Sequence, residues 1–95
     1  MNIQQLHPEE KAVSAISLFK GKEGVVTALQ IFQNEQLKAH VSKVPALLVC
    51  ITGKAVFENG KGIRTILLPG DYNNIEPMVK HWVAAIEYSN LLIIK

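Results

Sequence analysis

The feature of this sequence that most constrains its fold is an alternation of apolar and polar residues with a period of two, which begins near Ser14. Successive side chains of a β-strand point to opposite faces, so this period predicts strands and not helices. Turn-forming residues interrupt the alternation at intervals of roughly 8–12 residues, a spacing typical of β-sandwiches and β-barrels. The chain is therefore predicted to be all-β, and the lack of long helical stretches argues against parallel βαβ units.

Alternation and turn residues together predict about nine short strands. The predicted strands cover residues 15–19, 25–32, 37–41, 45–52, 55–58, 63–68, 72–76, 81–86 and 91–94. Gly53 is expected to end the strand before it, and Ser89 and Asn90 are expected to separate the last two strands. Asn59-Gly60 is the strongest hairpin signal, because this dipeptide readily takes the positive φ angles of a two-residue turn.

The N-terminal residues predict a short helix ahead of the barrel. Pro8 suits the first helical turn, and the two glutamates that follow it suit the positive end of a helix dipole. His7 lies at the start of this helix and is expected to be exposed. The chain is thus predicted to be a single domain over residues 1–95, with an N-terminal segment at 1–13 and an antiparallel β-barrel or jelly roll at 14–95.

The composition predicts a globular chain that gains stability from a partner subunit. A chain of 95 residues buries little more than about 60% of its unfolded surface, so its core is thin. Hydrophobic residues nevertheless make up 48% of the sequence, which excludes a disordered tail. We expect both a full core and an apolar surface covered by a second copy, in a homodimer. The single cysteine, Cys50, excludes an intrachain disulfide.

The charge pattern argues against a nucleic-acid partner. Ten basic residues are scattered along the chain, and nine of them are lysines. Nucleic-acid-binding proteins usually gather basic residues on one face and use arginine to bind phosphate or guanine. No apolar run approaches the ~18 residues of a membrane span, and the N-terminus lacks the basic and apolar segments of a signal peptide. We expect a cytoplasmic protein with no membrane partner.

Two segments resemble the two sequence motifs of the cupin superfamily. The segment from Leu37 to Gly53 resembles the first motif, in which His-x-His is followed by Glu and then by Gly, and His40 stands at its first histidine. The segment from Leu68 to Val83 resembles the second motif, in which Gly-Asp, an apolar strand, Ile-Pro and a turn lead to a histidine, here His81. The resemblance covers residues 37–95 and implies a cupin-type jelly roll in which the two histidines face a shared interior pocket.

The metal-ligand set that this resemblance implies is incomplete in the sequence. It consists of both histidines of the first motif, the glutamate, and the histidine of the second motif. Ser42 replaces the second histidine and Ala46 replaces the glutamate, which leaves His40 and His81 as candidate metal ligands. A catalytic divalent metal normally keeps three protein ligands, so no cofactor is expected to be required. A divalent transition metal on the two histidines is the alternative.

Cys50 is a candidate third ligand. If Ala46 points inward, then Leu48 and Cys50 do too, because strand side chains alternate, and a thiolate beside two imidazoles suits zinc or copper. The other interpretation is that Cys50 is a small buried hydrophobe, the usual role of a free cysteine. Glu76 lies at a strand end and is expected at the surface or rim, and Trp82 is expected to face the other side of its strand.

The first hypothesis for function is a small-molecule-binding barrel without obligatory metal chemistry, which takes a small anion, a sugar or an acid. The predicted pocket is lined by His40, Ser42, Leu48, Cys50, His81 and Val83. Imidazoles titrate near neutral pH, so the two histidines supply hydrogen bonds or charge. The resemblance leaves a metal-dependent dioxygenase or isomerase open, and a dimeric sensory or structural subunit is the third alternative. No nucleophile, acid–base pair or cofactor fingerprint identifies a reaction.

Overall fold

The alternating pattern folds into seven antiparallel strands in the computed structural model, which describes residues 1–95. The strands are β1 (Val13–Lys20), β2 (Val25–Ile31), β3 (Gln36–His40), β4 (Ala46–Asn59), β5 (Arg64–Leu67), β6 (Tyr72–Ile75) and β7 (His81–Ile94). A single 3-10 turn, Ile3–Gln5, precedes them. No helix has the length and apolar character of a membrane span. The all-β prediction is confirmed, and the strand number is corrected from nine to seven.

The two long strands, β4 and β7, build both sheets of the barrel. Each has 14 residues. The first part of β4 and the last part of β7 lie in a five-stranded sheet of order β1-β2-β7-β4-β6. The remaining parts of β4 and β7 lie in a four-stranded sheet of order β3-β7-β4-β5. Because the same two strands cross from one sheet to the other, the sheets close over a common core as a jelly-roll barrel.

Gly53 bends β4 and does not end it, which corrects the sequence prediction. Before the glycine the buried residues are even-numbered, as at Leu48 and Cys50, and after it they include Ala55 and Phe57. The change from even-numbered to odd-numbered buried residues requires an irregularity in the pairing of β4 with β7. The register between these two strands shifts on both sides of Gly53. Gly53 has a φ angle of 86°, in the left-handed region that favours glycine.

Ser89 and Asn90 lie inside β7 and do not separate two strands, which is a second correction. Both are fully buried despite their polar side chains. Ser89 Oγ accepts a hydrogen bond from Lys54 N at 3.0 Å and donates to Glu87 O at 2.8 Å. Asn90 Nδ2 donates to Thr52 Oγ1 at 3.1 Å. The two bonds of Ser89 satisfy backbone groups where the bend interrupts the regular ladder, and the bond of Asn90 joins its side chain to a side chain of β4.

The core lies between the two sheets; its buried apolar side chains come from β2 and β4–β7, and Val13 of β1 and Leu37 of β3 pack against them. Its 12 buried members are Leu29, Ile31, Ala46, Leu48, Cys50, Ala55, Phe57, Leu67, Ile75, Val83, Ala85 and Leu91. Phe57 is the largest fully buried side chain. The full core expected from the composition is therefore present.

The N-terminal helix is shorter and earlier than predicted. Asn2 caps the 3-10 turn by accepting a hydrogen bond from Gln4 N at 2.9 Å. Around Pro8 the chain forms only a turn, in which Lys11 N donates to Pro8 O at 3.4 Å. Helix nucleation fixes several residues for one hydrogen bond, and the few residues before Val13, where β1 begins, are too short a stretch to offset it.

His7 is buried, whereas the sequence predicts it to be exposed. Its side chain is 8% exposed, and Nδ1 lies 2.7 Å from Ser14 Oγ on β1. Its Nε2 atom is buried without a partner. Burial lowers the pKa of His7 below its ordinary value. The neutral imidazole of His7 therefore attaches the N-terminal segment to β1 of the barrel.

We expect the buried His7 to make folding stability fall as the pH falls below its ordinary pKa of 6.5. The folded state holds the ring neutral, so below this pH the unfolded state binds more protons and gains free energy relative to the folded state. Urea denaturation at pH values from about 7.5 to about 5 measures the effect above the range where carboxylates titrate. The His7→Gln variant should show a shallower pH dependence. An unchanged dependence in the variant would contradict the assignment to His7.

Candidate functional site

The structure brings together the two histidines that are far apart in the sequence. His40 at the end of β3 is the register partner of His81 at the start of β7. Their ring centroids are 4.3 Å apart and the rings are inclined at 62°. The pair lies at the end of the four-stranded sheet, where Asn59 of β4 flanks His81 on the other side.

Backbone carbonyls fix the protonation of both rings. His40 Nδ1 lies 3.1 Å from Lys38 O, and His81 Nδ1 lies 3.2 Å from Val79 O. A carbonyl oxygen only accepts hydrogen bonds, so each Nδ1 carries the proton and each Nε2 keeps its lone pair when the ring is neutral. Neither Nε2 has a hydrogen-bond partner in the protein, and neither is fully buried. The site therefore offers the Nε2 atoms of two neighbouring rings to a ligand.

The two imidazoles lie in different environments. His81 is 3% exposed and stacks on Phe57, with ring centroids 5.9 Å apart and an interplanar angle of 25°. His40 is exposed and forms the rim. Burial lowers the pKa of His81. The hydrogen bond to the Val79 carbonyl acts to raise it, and the positive charges of His40 and Lys95 lower it further. His81 is thus neutral at physiological pH and presents an acceptor.

Ser42 supports the site through the backbone. It is buried, and its Oγ donates to Val44 O at 2.7 Å. Its carbonyl oxygen accepts a hydrogen bond from Met78 N at 2.8 Å. Met78 has a φ angle of 67°, in the left-handed region that a methionine rarely adopts. The hydrogen bond from Met78 N to Ser42 O holds the loop that contains Val79, and the Val79 carbonyl orients His81. Ser42 therefore has a positioning role in the site.

The interior pocket expected from the sequence is closed in the structure. Leu48, Cys50 and Val83 are each at most 1% exposed and belong to the packed core. The structure has two cavities, and neither is lined by any of the six predicted pocket residues. The side chain of Phe57 occupies the interior directly beneath His81. The open part of the site is therefore the rim around the two Nε2 atoms, and a ligand-binding role for these residues stays a prediction.

Cys50 has the environment of a buried hydrophobe. Its Sγ donates a weak hydrogen bond to Thr52 O at 3.5 Å. Burial raises the pKa of the Cys50 thiol, and the negative charge of Asp71 raises it further. A thiol held in its protonated form is a poor metal ligand, because the thiolate is the form that binds.

The residues present do not fit a metal centre with three protein ligands. No group of three His, Cys, Asp or Glu side chains in the structure is arranged to hold a metal ion. Ala46, at the position of the cupin glutamate, is buried in the core. Glu76 is exposed, as the sequence predicts, and its Oε1 accepts from Lys61 Nζ at 2.7 Å. The donor set for a metal therefore consists of the two imidazoles.

Sequence reasoning missed the residues that hold the pair in place. Phe57 supports His81 from below, and two carbonyls, of Lys38 and Val79, orient the rings. Each carbonyl lies two residues before its histidine, a short-range pattern that could have been proposed from the sequence. The contact with Phe57 depends on the register between β4 and β7, which the sequence pattern does not fix.

Comparison with known proteins gives a consistent fold and no close relative. No protein-family model matches the chain. No curated protein matches it either. A cupin superfamily protein from Desulfitobacterium hafniense superposes with a TM-score of 0.85 at 16% identity, covering 98% of this chain and 84% of that one.

Other solved structures agree with this likeness. An RmlC-like cupin family protein from Methanocaldococcus jannaschii, described as a double-stranded β-helix, has a TM-score of 0.78 at 14% identity over 94% of this chain and 84% of its own. KdgF from Halomonas sp. has a TM-score of 0.79 at 14% identity over 93% and 82% of the two chains. The predicted architecture is confirmed: the chain has the double-stranded β-helix fold of the cupin superfamily.

Proposed function

We propose that this protein is a small-molecule-binding barrel that takes a small carboxylate at the His40–His81 pair without a three-ligand metal centre. The observation that carries the proposal is the pair of unpartnered Nε2 atoms on rings whose Nδ1 atoms are both committed to backbone carbonyls. When the rings are also protonated at Nε2, each donates one hydrogen bond, and the pair addresses the two oxygens of one carboxylate. Hydrogen bonds of this kind are stronger when one partner is charged.

The local charge favours an anion. The pKa of His81 is lowered by burial and also by the positive charges of His40 and Lys95. A bound carboxylate offsets that repulsion and stabilises the imidazolium form, so binding is coupled to proton uptake. The affinity should therefore rise as the pH falls through the pKa of His81 in the free protein and fall as the pH rises above it.

Titration with malonate, followed by the imidazole resonances in NMR spectra, tests the proposal. We expect the Nε2 signals of His40 and His81 to shift together and to saturate, with tighter binding at the lower pH. His40→Gln and His81→Gln should each weaken binding about tenfold or more, the usual effect of losing one hydrogen bond to a charged group. His7 is an internal control, because its ring is buried against Ser14 and away from the pair.

Two results would contradict the proposal. One is a complete absence of saturable shifts at His40 and His81 with malonate and with acetate. The other is an equal shift at His7, because that would indicate a nonspecific effect of salt on all three rings.

A divalent transition metal is the second candidate ligand, and one observation favours it. Metal-binding histidines commonly donate the other ring N–H to a backbone carbonyl, which is the arrangement of both histidines here. Titration with Zn²⁺ alone separates the candidates. If the carboxylate proposal is correct, malonate binds equally well in the presence of a chelator. Zn²⁺ bound near one per chain, and malonate binding that requires it, would favour the metal-dependent alternative.

A further inference from the structure

Both histidines of the candidate site lie beside the same end of the five-stranded sheet. His40 ends β3, and a short loop leads from it to Ala46, where β4 begins. A second short loop leads from Ile75, the last residue of β6, to His81. Ala46 and Ile75 are register partners, and a backbone hydrogen bond of 2.8 Å joins the two loops. This end of the sheet is therefore adjacent to the histidine pair.

Lys95 lies at this end of the sheet with its side chain on the inner face. Leu91 belongs to the buried core, and Ile93 packs against it. Side chains alternate along an extended strand, so Lys95 projects to the same side as these two residues. The backbone of Lys95 continues the pairing of β7 with β2, because Val25 N donates to Lys95 O at 2.6 Å and Lys95 N donates to Val25 O at 3.0 Å. These two bonds fix the direction in which the side chain leaves the backbone.

The register of β4 against β7 places Lys95 opposite Ala46. Leu47 pairs with Ile94. The next pair along these antiparallel strands is therefore Ala46 on β4 and Lys95 on β7. The side chain of an alanine has no hydrogen-bond acceptor, so the ammonium group of Lys95 has no side-chain partner at this cross-strand position.

The ammonium group of Lys95 is an unpaired positive charge that acts on the candidate site. The only salt bridge in the structure joins Lys61 to Glu76, so no carboxylate neutralises Lys95. Burial lowers the pKa of His81, and the positive charge of Lys95 contributes to the same shift. Lys95 is exposed, so a ligand on the histidine pair can also contact it.

We propose that Lys95 binds the second carboxylate of a dicarboxylate ligand whose first carboxylate lies on the His40–His81 pair, an inference that rests on the function proposed above. The two imidazoles address both oxygens of the first carboxylate, so the three N–H groups of the ammonium group need a further acceptor. A second carboxylate supplies this acceptor, and hydrogen bonds between charged groups are stronger than those between neutral groups.

The space around the site also favours a ligand that extends to Lys95. The ring of Phe57 fills the interior beneath His81, so a ligand on the histidine pair extends along the rim and not into the barrel. Lys95 lies at the adjacent end of the sheet and lines a cavity of about 430 Å³ together with residues 21–26. This cavity leaves room for the end of the ligand that carries the second carboxylate.

Lys22 provides a matched control for Lys95. It lines the same cavity and is also exposed. It lies in the turn between β1 and β2, and its charge is not among those that lower the pKa of His81. Lys22→Met and Lys95→Met therefore remove the same charge from the same cavity, but only Lys95→Met removes it from the candidate site.

Titrations of the full chain with acetate and with succinate, followed by the imidazole resonances in NMR spectra, test the inference. The unsubstituted protein should bind succinate about tenfold more tightly than acetate, because succinate forms an additional hydrogen bond between charged groups. Lys95→Met should lose most of this preference and change the affinity for acetate much less. Lys22→Met should keep the preference. Both side chains are exposed, and circular dichroism checks that the two variants keep the fold.

Three results would overturn the role of Lys95. In the first, acetate binds and succinate binds no more tightly; in the second, the preference for succinate survives in Lys95→Met. Both would leave a carboxylate site at the histidine pair alone. The third is an equal loss of the preference in Lys22→Met, which would indicate a general effect of charge. If neither acetate nor succinate gives saturable shifts, the carboxylate site itself fails, and the role of Lys95 fails with it.

Discussion

Gly53→Ala is expected to lower the free energy of unfolding by about 3–5 kcal/mol, among the largest effects of any single substitution in this chain. A Cβ atom at this position would lie 2.1 Å from Tyr88 O, 2.6 Å from Ser89 Oγ and 2.8 Å from Ser89 Cα. Two of these atoms belong to the backbone of β7 and cannot move without breaking the ladder between the long strands. The φ angle of 86° adds the conformational strain of an L residue in the left-handed region.

Gly70→Ala separates steric overlap from conformational strain. Gly70 also has a positive φ, 93°, but no atom lies within 4 Å of the position of an added Cβ. This variant should lose only about 1–2 kcal/mol, the cost of the left-handed conformation alone. Guanidinium denaturation of both variants measures the difference. Equal losses would show that the approach of β4 to β7 at Gly53 is not what requires a glycine.

Gly53 also marks a feature of the fold that the sequence pattern does not predict. Alternation located the strand-forming segments, because it is a local property of the chain, but two of the predicted turns lie inside long strands. Gly53 and the pair Ser89-Asn90 have the composition of turns, and their partners lie on another strand. A bend inside a long strand and a turn between two short strands look alike in the sequence. The difference lies in the pairing of β4 with β7, which is set by the whole fold.

The features of the candidate site also divide into those that the sequence predicts and those that only the folded structure shows. The resemblance to the cupin motifs was sufficient to place His40 beside His81, since motif order carries the strand topology. It could not show that the interior is full, because this depends on the size and rotamer of side chains such as Phe57. It also could not show that His7 is buried, since that contact joins the N-terminal segment to Ser14. Only packing determines these features, and single-residue properties do not encode them.

Phe57→Ala is the second substitution with a large expected effect, and it links the core to the site. Loss of the largest fully buried side chain should lower the free energy of unfolding by about 3–5 kcal/mol. It also removes the ring that stacks on His81. The cavity then admits water beside the imidazole, and the desolvation that lowers the pKa of His81 decreases. Urea denaturation and NMR titration of the histidines measure the two effects.

The pKa of His81 should therefore rise in Phe57→Ala toward its ordinary value, while that of His7 remains unchanged because His7 lies against Ser14. Phe57→Leu is the matched control, since it keeps the interior apolar and should cost about 1–2 kcal/mol with little change in the pKa of His81. If the alanine variant loses stability and the pKa of His81 stays low, the burial of His81 has another source. If the pKa rises as expected, one core side chain both closes the interior and holds the buried histidine neutral, with its Nε2 as an acceptor at the open rim.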